Sequence, residues 1–262
     1  MREMINVRRL PSFVLLTVLA SCAIGASPSA DAQPKWRYRQ MGSGRPVVVL
    51  ESGLGERLDT WKSVQHEVSR FTETFSYNRA GYPGSPAAEG TRDAVAVVDE
   101  LRELLKRRGL EPPYLLVGHS LGGLYVQYYA RNFPDEVTGL VLVDSSHWAQ
   151  SERIREAAPS TAGDATKPPR LPPGIVGEEA AAFDLTGHEV RDSPLLRPMP
   201  LIVLTAGKSG GPLWPELQRE LAAQVPGARH TIAERSDHFI QERQPQFVWA
   251  AVRDIVIALR GQ

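Results

Sequence analysis

The feature that most constrains the fold is a repeated alternation of short, uninterrupted apolar runs with longer stretches at helical spacing. Residues 46–53, PVVVLESG, form a β-branched run ending in glycine, and RLDTWKSVQHEVSRF follows with helical periodicity. TETFSYNRAG reads as the next strand. TRDAVAVVDELRELLKRRG is a helix whose Val95, Val98, Leu101 and Leu105 are expected along one stripe, ended by Gly109 and kept from resuming by Pro112-Pro113. YLLVG, the helix LGGLYVQYYARNF and the strand TGLVLVD complete the first part. After an interruption the rhythm resumes with PLIVLTAG, PELQRELAAQV, RHTIAE and a last helix starting near Gln244-Pro245. Strands that are apolar throughout are buried on both faces, so this order predicts an α/β protein, a mostly parallel sheet with helices on both sides.

The interruption, about residues 145–198, is rich in proline, glycine and charge, as in DATKPPRLPPG, with EEAAAFDL as a short helical candidate. Lying between two parts of one sheet pattern, it reads as a small irregular cap inserted into the domain.

Composition narrows the function. Hydrophobic residues make up 42% of 262, enough for a large core, and Lys+Arg equals Asp+Glu at 30 each. That balance lacks the basic footprint of a nucleic-acid binder. The start, MREMINVRRLPSFVLLTVLASC, is basic, then apolar only from Phe13 to Ala20, too short for a membrane span and typical of an export signal. Residues 1–21 are therefore expected to be removed and 22–35 to form a tether, leaving 36–262 as the domain. Cys22 after Leu19-Ala20-Ser21 resembles a bacterial lipobox, which implies a lipid anchor on Cys22 and a place in the cell envelope. Ordinary cleavage after Ala32, giving a secreted protein, is the alternative. Cys22 is the one cysteine, so no disulfide is available within the chain.

The chemistry-bearing candidate is Gly118-His119-Ser120-Leu121-Gly122, a G-x-S-x-G pattern between the strand YLLV and a helix. Small residues are needed where a strand turns sharply into a helix around a strained serine. In this context the chain resembles the α/β-hydrolases from about Trp36 to its end. The resemblance implies a serine nucleophile at Ser120, a histidine after the last strand and an acid between them.

Of His66, His119, His147, His188, His230 and His238, only His238 lies between a late strand and the final helix, where a general base is expected. His66 and His119 read as structural. The acid is less determined. LIVLTAGKSGGPLWPEL carries no carboxylate soon after its strand, Glu216 being the first, whereas LVLVDSSHW places Asp144 at a strand end next to that of Ser120. Asp144 is the favoured acid; Glu216, Asp184 and Asp192 are the alternatives, and Asp237 is disfavoured because it adjoins His238.

The oxyanion donors implied by the resemblance are the backbone N–H groups of Leu121 and Leu54, the latter in ESGLGE, where relatives often carry His in place of Ser52. SYNRAGYPGSP resembles a structural signature usually written with Asp where Asn78 stands. Glu51 and Arg79, both at strand ends, are expected to pair. Trp148, Phe183 and Leu185 are candidates for an apolar acyl site. No metal-ligand spacing and no dinucleotide fingerprint is present, so no cofactor is implied.

The expectation is a serine hydrolase acting on a carboxylic ester or related acyl compound, with peptidase and lactonase as variants. The contrasting expectation is an envelope protein that uses the same fold only to bind.

Overall fold

The computed structural model describes residues 35–157 and 171–261. The expected signal, the Cys22 anchor and nearly all of the tether lie outside these residues.

Seven strands form one sheet: β1 (Tyr38–Met41), β2 (Val47–Glu51), β3 (Thr74–Tyr77), β4 (Tyr114–His119), β5 (Val137–Val143), β6 (Leu201–Ala206) and β7 (Arg229–Ala233), in the order β1-β3-β2-β4-β5-β6-β7. All neighbours are parallel except β1, which pairs antiparallel with β3 at the edge. β1 is not legible in the sequence, because YRQM offers neither an apolar run nor a half-buried alternation; its residues are intermediate or exposed.

The helices are α1 (Lys62–Val68), α2 (Ala94–Arg107), α3 (Leu121–Asn132), α4 (Gln150–Ala157), α5 (Ile175–Ala181), α6 (Phe183–Asp192), α7 (Trp214–Ala223), α8 (Ile240–Arg243) and α9 (Pro245–Arg260). Alternate strand residues serve opposite faces, as the two-residue period requires. Val47, Val49 and Leu116 join one core with α2 and α3, while Val48, Leu50, Leu115 and Val117 join another with Val64 and Val68 of α1 and Val248, Val252 and Val256 of α9.

Two expectations need correction. Val95 is 42% exposed; the buried stripe of α2 is Ala94, Val97, Val98, Leu101, Leu104 and Leu105, from which Val95 is rotated by the 3.6-residue turn. Much of the described part of the cap is helical, in α4, α5 and α6. Pro172-Pro173-Gly174 precedes α5, the Glu/Ala-rich GEEAAA propagates it, and α6 packs against α2 and α3. In the described residues from 171 onward, proline and glycine precede the helices rather than prevent them.

The chain leaves β2 toward β3 on one side and then returns to place β4 on the other. This reversal of strand order falls between β2 and β4, and the carboxyl ends of strands at such a point are where open α/β sheets bind ligands. Register aligns these ends: Glu51 lies opposite Gly118, and His119 opposite Val143.

Candidate active site

Ser120 joins β4 to α3 with φ 52° and ψ −122°, a conformation that L-residues rarely adopt. Such strain, on the order of 1–3 kcal/mol, persists only where surroundings impose it. Here they do. A Cβ on Gly118 would lie 2.6 Å from the Gly122 carbonyl oxygen, and one on Gly122 would lie 2.5 Å from that of Ser52. The helix start is wedged against the ends of its own strand and of β2, and no side chain fits between them.

Asp144 follows β5 directly, also at positive φ (40°), and is fully buried. Its carboxylate accepts four hydrogen bonds. Oδ1 receives the Ala206 N–H (2.9 Å) and the Trp214 indole N–H (2.8 Å); Oδ2 receives the Ser209 hydroxyl (3.0 Å) and His238 Nδ1 (2.7 Å). His238 lies between β7 and α8, with its side chain 34% exposed.

The other carboxylates are engaged elsewhere. Glu216 pairs with Arg153 (2.6 Å), Asp192 with Arg191 (2.9 Å), and Asp237 accepts from the Phe239 N–H and Arg243; Asp184 is exposed on α6.

The serine turn reaches the histidine through His119. The two imidazole centroids are 4.6 Å apart, and His119 Nε2 lies 2.9 Å from the His238 carbonyl oxygen, so that nitrogen carries a proton and donates. Ser120 Oγ itself has no hydrogen-bond partner among the described residues. The other face of His119 meets Glu56 Oε2 at 3.0 Å.

Glu56 turns back on its own loop: Oε2 also accepts the Gly53 N–H (2.8 Å), and Oε1 accepts from Gln241 (3.3 Å). Burial would raise the Glu56 pKa, but the bond and charge of His119, the Gly53 N–H and the Arg79 charge outweigh it and hold the carboxyl below its usual range. His119, structural by its place in the sequence, thus contacts the histidine loop, and Glu56, Ser209 and Trp214 carry no sequence signal for their parts. Their bonding is set by contacts between distant loops and leaves no local pattern.

Ser52 is buried, and its hydroxyl accepts the Trp61 indole N–H at 3.1 Å, which anchors the loop after β2 without the histidine of relatives. Leu54 is 38% exposed, and its N–H has no partner among the described residues, although those of Gly53 and Gly55 do. Leu121 is buried at the first position of α3, where helix N–H groups have no intrahelical partner.

Glu51 and Arg79 meet at 2.7 Å, and a third member from the cap, Glu179, lies 2.6 Å from Arg79; all three are buried. Burial raises the Glu51 pKa against the opposing pull of Arg79 and the Tyr77 hydroxyl. Burial alone would lower that of Arg79, but Glu179 and Glu51 raise it well above the usual value.

Asn78 accepts the Leu58 N–H (2.9 Å) and donates to the Pro83 carbonyl (2.8 Å), a pair of tasks for which an amide is suited. Trp148 and Phe183 pack against the core beside α3, and Leu185 is 46% exposed.

A sequence model described as alpha/beta hydrolase fold matches residues 46–174. With the strand order above, this decides the matter. The chain is an α/β-hydrolase.

Among curated relatives, the uncharacterized protein YqjL of Bacillus subtilis is 26% identical over 229 residues, covering 82% of this chain and 85% of that one. Lipase LipV of Mycobacterium tuberculosis is 29% identical over 209 residues, 75% of each chain. Among solved structures, a thermophilic esterase from Thermogutta terrifontis superposes with a TM-score of 0.64 at 19% identity, covering 88% of this chain and 96% of the other. The structural likeness, at 19% identity, is one of fold.

Proposed function

We propose that this α/β-hydrolase is a serine carboxylesterase that forms an acyl-enzyme on Ser120. The observation that carries the reading is the 2.7 Å bond between His238 Nδ1 and a buried Asp144, beside the strained turn that bears Ser120. With Nδ1–H given to Asp144, the free lone pair of His238 sits on Nε2, the nitrogen that accepts a proton from the serine hydroxyl as it attacks.

The ester carbonyl carbon bonds to Ser120 Oγ, and the hydroxyl proton passes to His238. The tetrahedral oxyanion is held by the N–H groups of Leu121 and Leu54, each contributing about 3 kcal/mol. Collapse releases the alcohol, which takes the proton from His238. Water, deprotonated by the same ring, then attacks the acyl-enzyme and yields the carboxylic acid, restoring Ser120.

The basic and then apolar start and the lipobox-like Leu19-Ala20-Ser21-Cys22 support export and anchoring at the cell envelope.

A fluorophosphonate probe tests the mechanism. Labelling and turnover of short chromogenic esters, both lost in Ser120→Ala and in His238→Ala, are expected. A well-folded parent protein that neither labels nor turns over any ester would instead mark the fold as a binding module.

A further inference from the structure

The cap helix α5 is tied to the loop after β2 by a buried polar network. Arg79 spans the junction. Its Nε and Nη2 donate to the two carboxylate oxygens of Glu179 at 2.6 and 2.9 Å, and its Nη1 donates to Glu51 (2.7 Å) and the Ser52 carbonyl (2.6 Å). Nη2 also donates to the Gly53 carbonyl at 2.8 Å. Tyr82 supplies a second route: its hydroxyl donates to Glu179 Oε2 (2.6 Å) and accepts the Gly55 N–H (3.0 Å). Apolar contact closes the same seam, since a Cβ on Gly55 would sit 3.6 Å from the Val176 side chain of α5.

These bonds converge on Leu54. A trans peptide points its C=O and N–H in opposite directions, so fixing the Gly53 carbonyl toward Arg79 turns the Leu54 N–H of that same peptide away from Arg79. The amide on the other side of Leu54, that of Gly55, is fixed by Tyr82. The Leu54 N–H, on a residue flanked by two anchored peptides, has no partner among the described residues, and the loop abuts the serine turn: a Cβ on Gly53 would fall 3.1 Å from the Ser120 Cβ. Charge balance does not account for Glu179. Glu51 alone neutralises Arg79, and burying a second carboxylate is costly.

We propose that Glu179 is a positioning residue for the oxyanion donor: through Arg79 and Tyr82, the seated cap helix fixes the peptides on both sides of the Leu54 N–H. The cap then contributes to the rate of the chemical step as well as to the shape of the pocket. This inference rests on the acyl-enzyme reading above.

The test compares the full-length parent with Glu179→Gln, which leaves the Arg79–Glu51 pair intact. Chromogenic-ester kinetics are measured beside the affinity of a trifluoromethyl ketone, whose serine adduct places an oxyanion in the same donors. The kcat is expected to fall about 10- to 100-fold, with ketone affinity falling by the same factor, KM staying within about twofold and near-UV circular dichroism unchanged. Should Glu179→Gln fail to fold, Tyr82→Phe removes one route alone and is expected to give the same pattern at about tenfold.

A kcat and ketone affinity both within about twofold of the parent, or a raised KM at unchanged kcat, would overturn the inference. Fluorophosphonate labelling separates the two readings. A labelled parent with unaffected variants sinks only the role of Glu179, whereas a folded parent that never labels sinks the acyl-enzyme and this inference with it.

Discussion

Asp144 and His238, 94 positions apart, meet at 2.7 Å because β5, which Asp144 directly follows, lies next to β6, whose other neighbour, β7, leads into the histidine loop. In Asp144→Asn the amide NH2 can face Nδ1, which favours the tautomer with its proton on Nε2 and leaves no base for the serine. The kcat for a chromogenic ester is expected to drop by roughly 10⁴ with the near-UV spectrum unchanged. Activity within tenfold of the parent would remove Asp144 from the mechanism.

Glu56 ties its own loop, at Gly53, to the end of β4 at His119 and to α8 at Gln241. Glu56→Gln keeps the shape but turns an NH2 toward one of these donors. Hydrogen bonds to charged groups contribute about 1.5–3 kcal/mol, so urea unfolding is expected to show a loss of that size. An unchanged urea midpoint would show that the junction is not held by the carboxylate.

His147 is buried against Trp148, with Arg131, Arg153 and Glu220 around it; its Nε2 lies 3.3 Å from Glu220 without an aligned hydrogen bond. Desolvation, helped by the two arginines and opposed by Glu220, pushes its pKa down to about 4. The unfolded chain, with histidine near 6.5, takes up a proton that the fold refuses, so stability falls as pH drops from about 6.5 to about 4, by at most about 3 kcal/mol. His147→Gln is expected to flatten that limb of a stability-against-pH curve measured by urea unfolding. Parallel curves for variant and parent would rule out this source.

Asn78 stands where similar proteins usually carry Asp, and here its NH2 is bonded to the Pro83 carbonyl. Asn78→Asp replaces that donor with an oxygen facing an oxygen. A loss of about 1–3 kcal/mol is expected, read as a lowered thermal midpoint, with kcat per folded molecule little changed. A midpoint equal to or above that of the parent would contradict this account.

The sequence by itself determined the order of the six parallel strands and of the main helices between them, though not the edge strand β1, and the strand-turn-helix around Ser120. Apolar runs, helical stripes and glycines at close approaches are local constraints, and each leaves its mark within a dozen residues. It also narrowed the histidine to His238 by position along the chain. What tertiary structure decided was every long-range pairing: that Asp144 rather than Glu216 meets His238, that His119 bridges to the histidine loop, and that Glu179 from a proline-broken insertion is buried on Arg79. Even the Glu51–Arg79 pair, legible from two strand ends, gained its third member only in space. A carboxylate carries no sign of its partner in its neighbours. Which cation or imidazole it reaches is fixed by strand order and register, and those are settled only when the whole sheet closes its two cores.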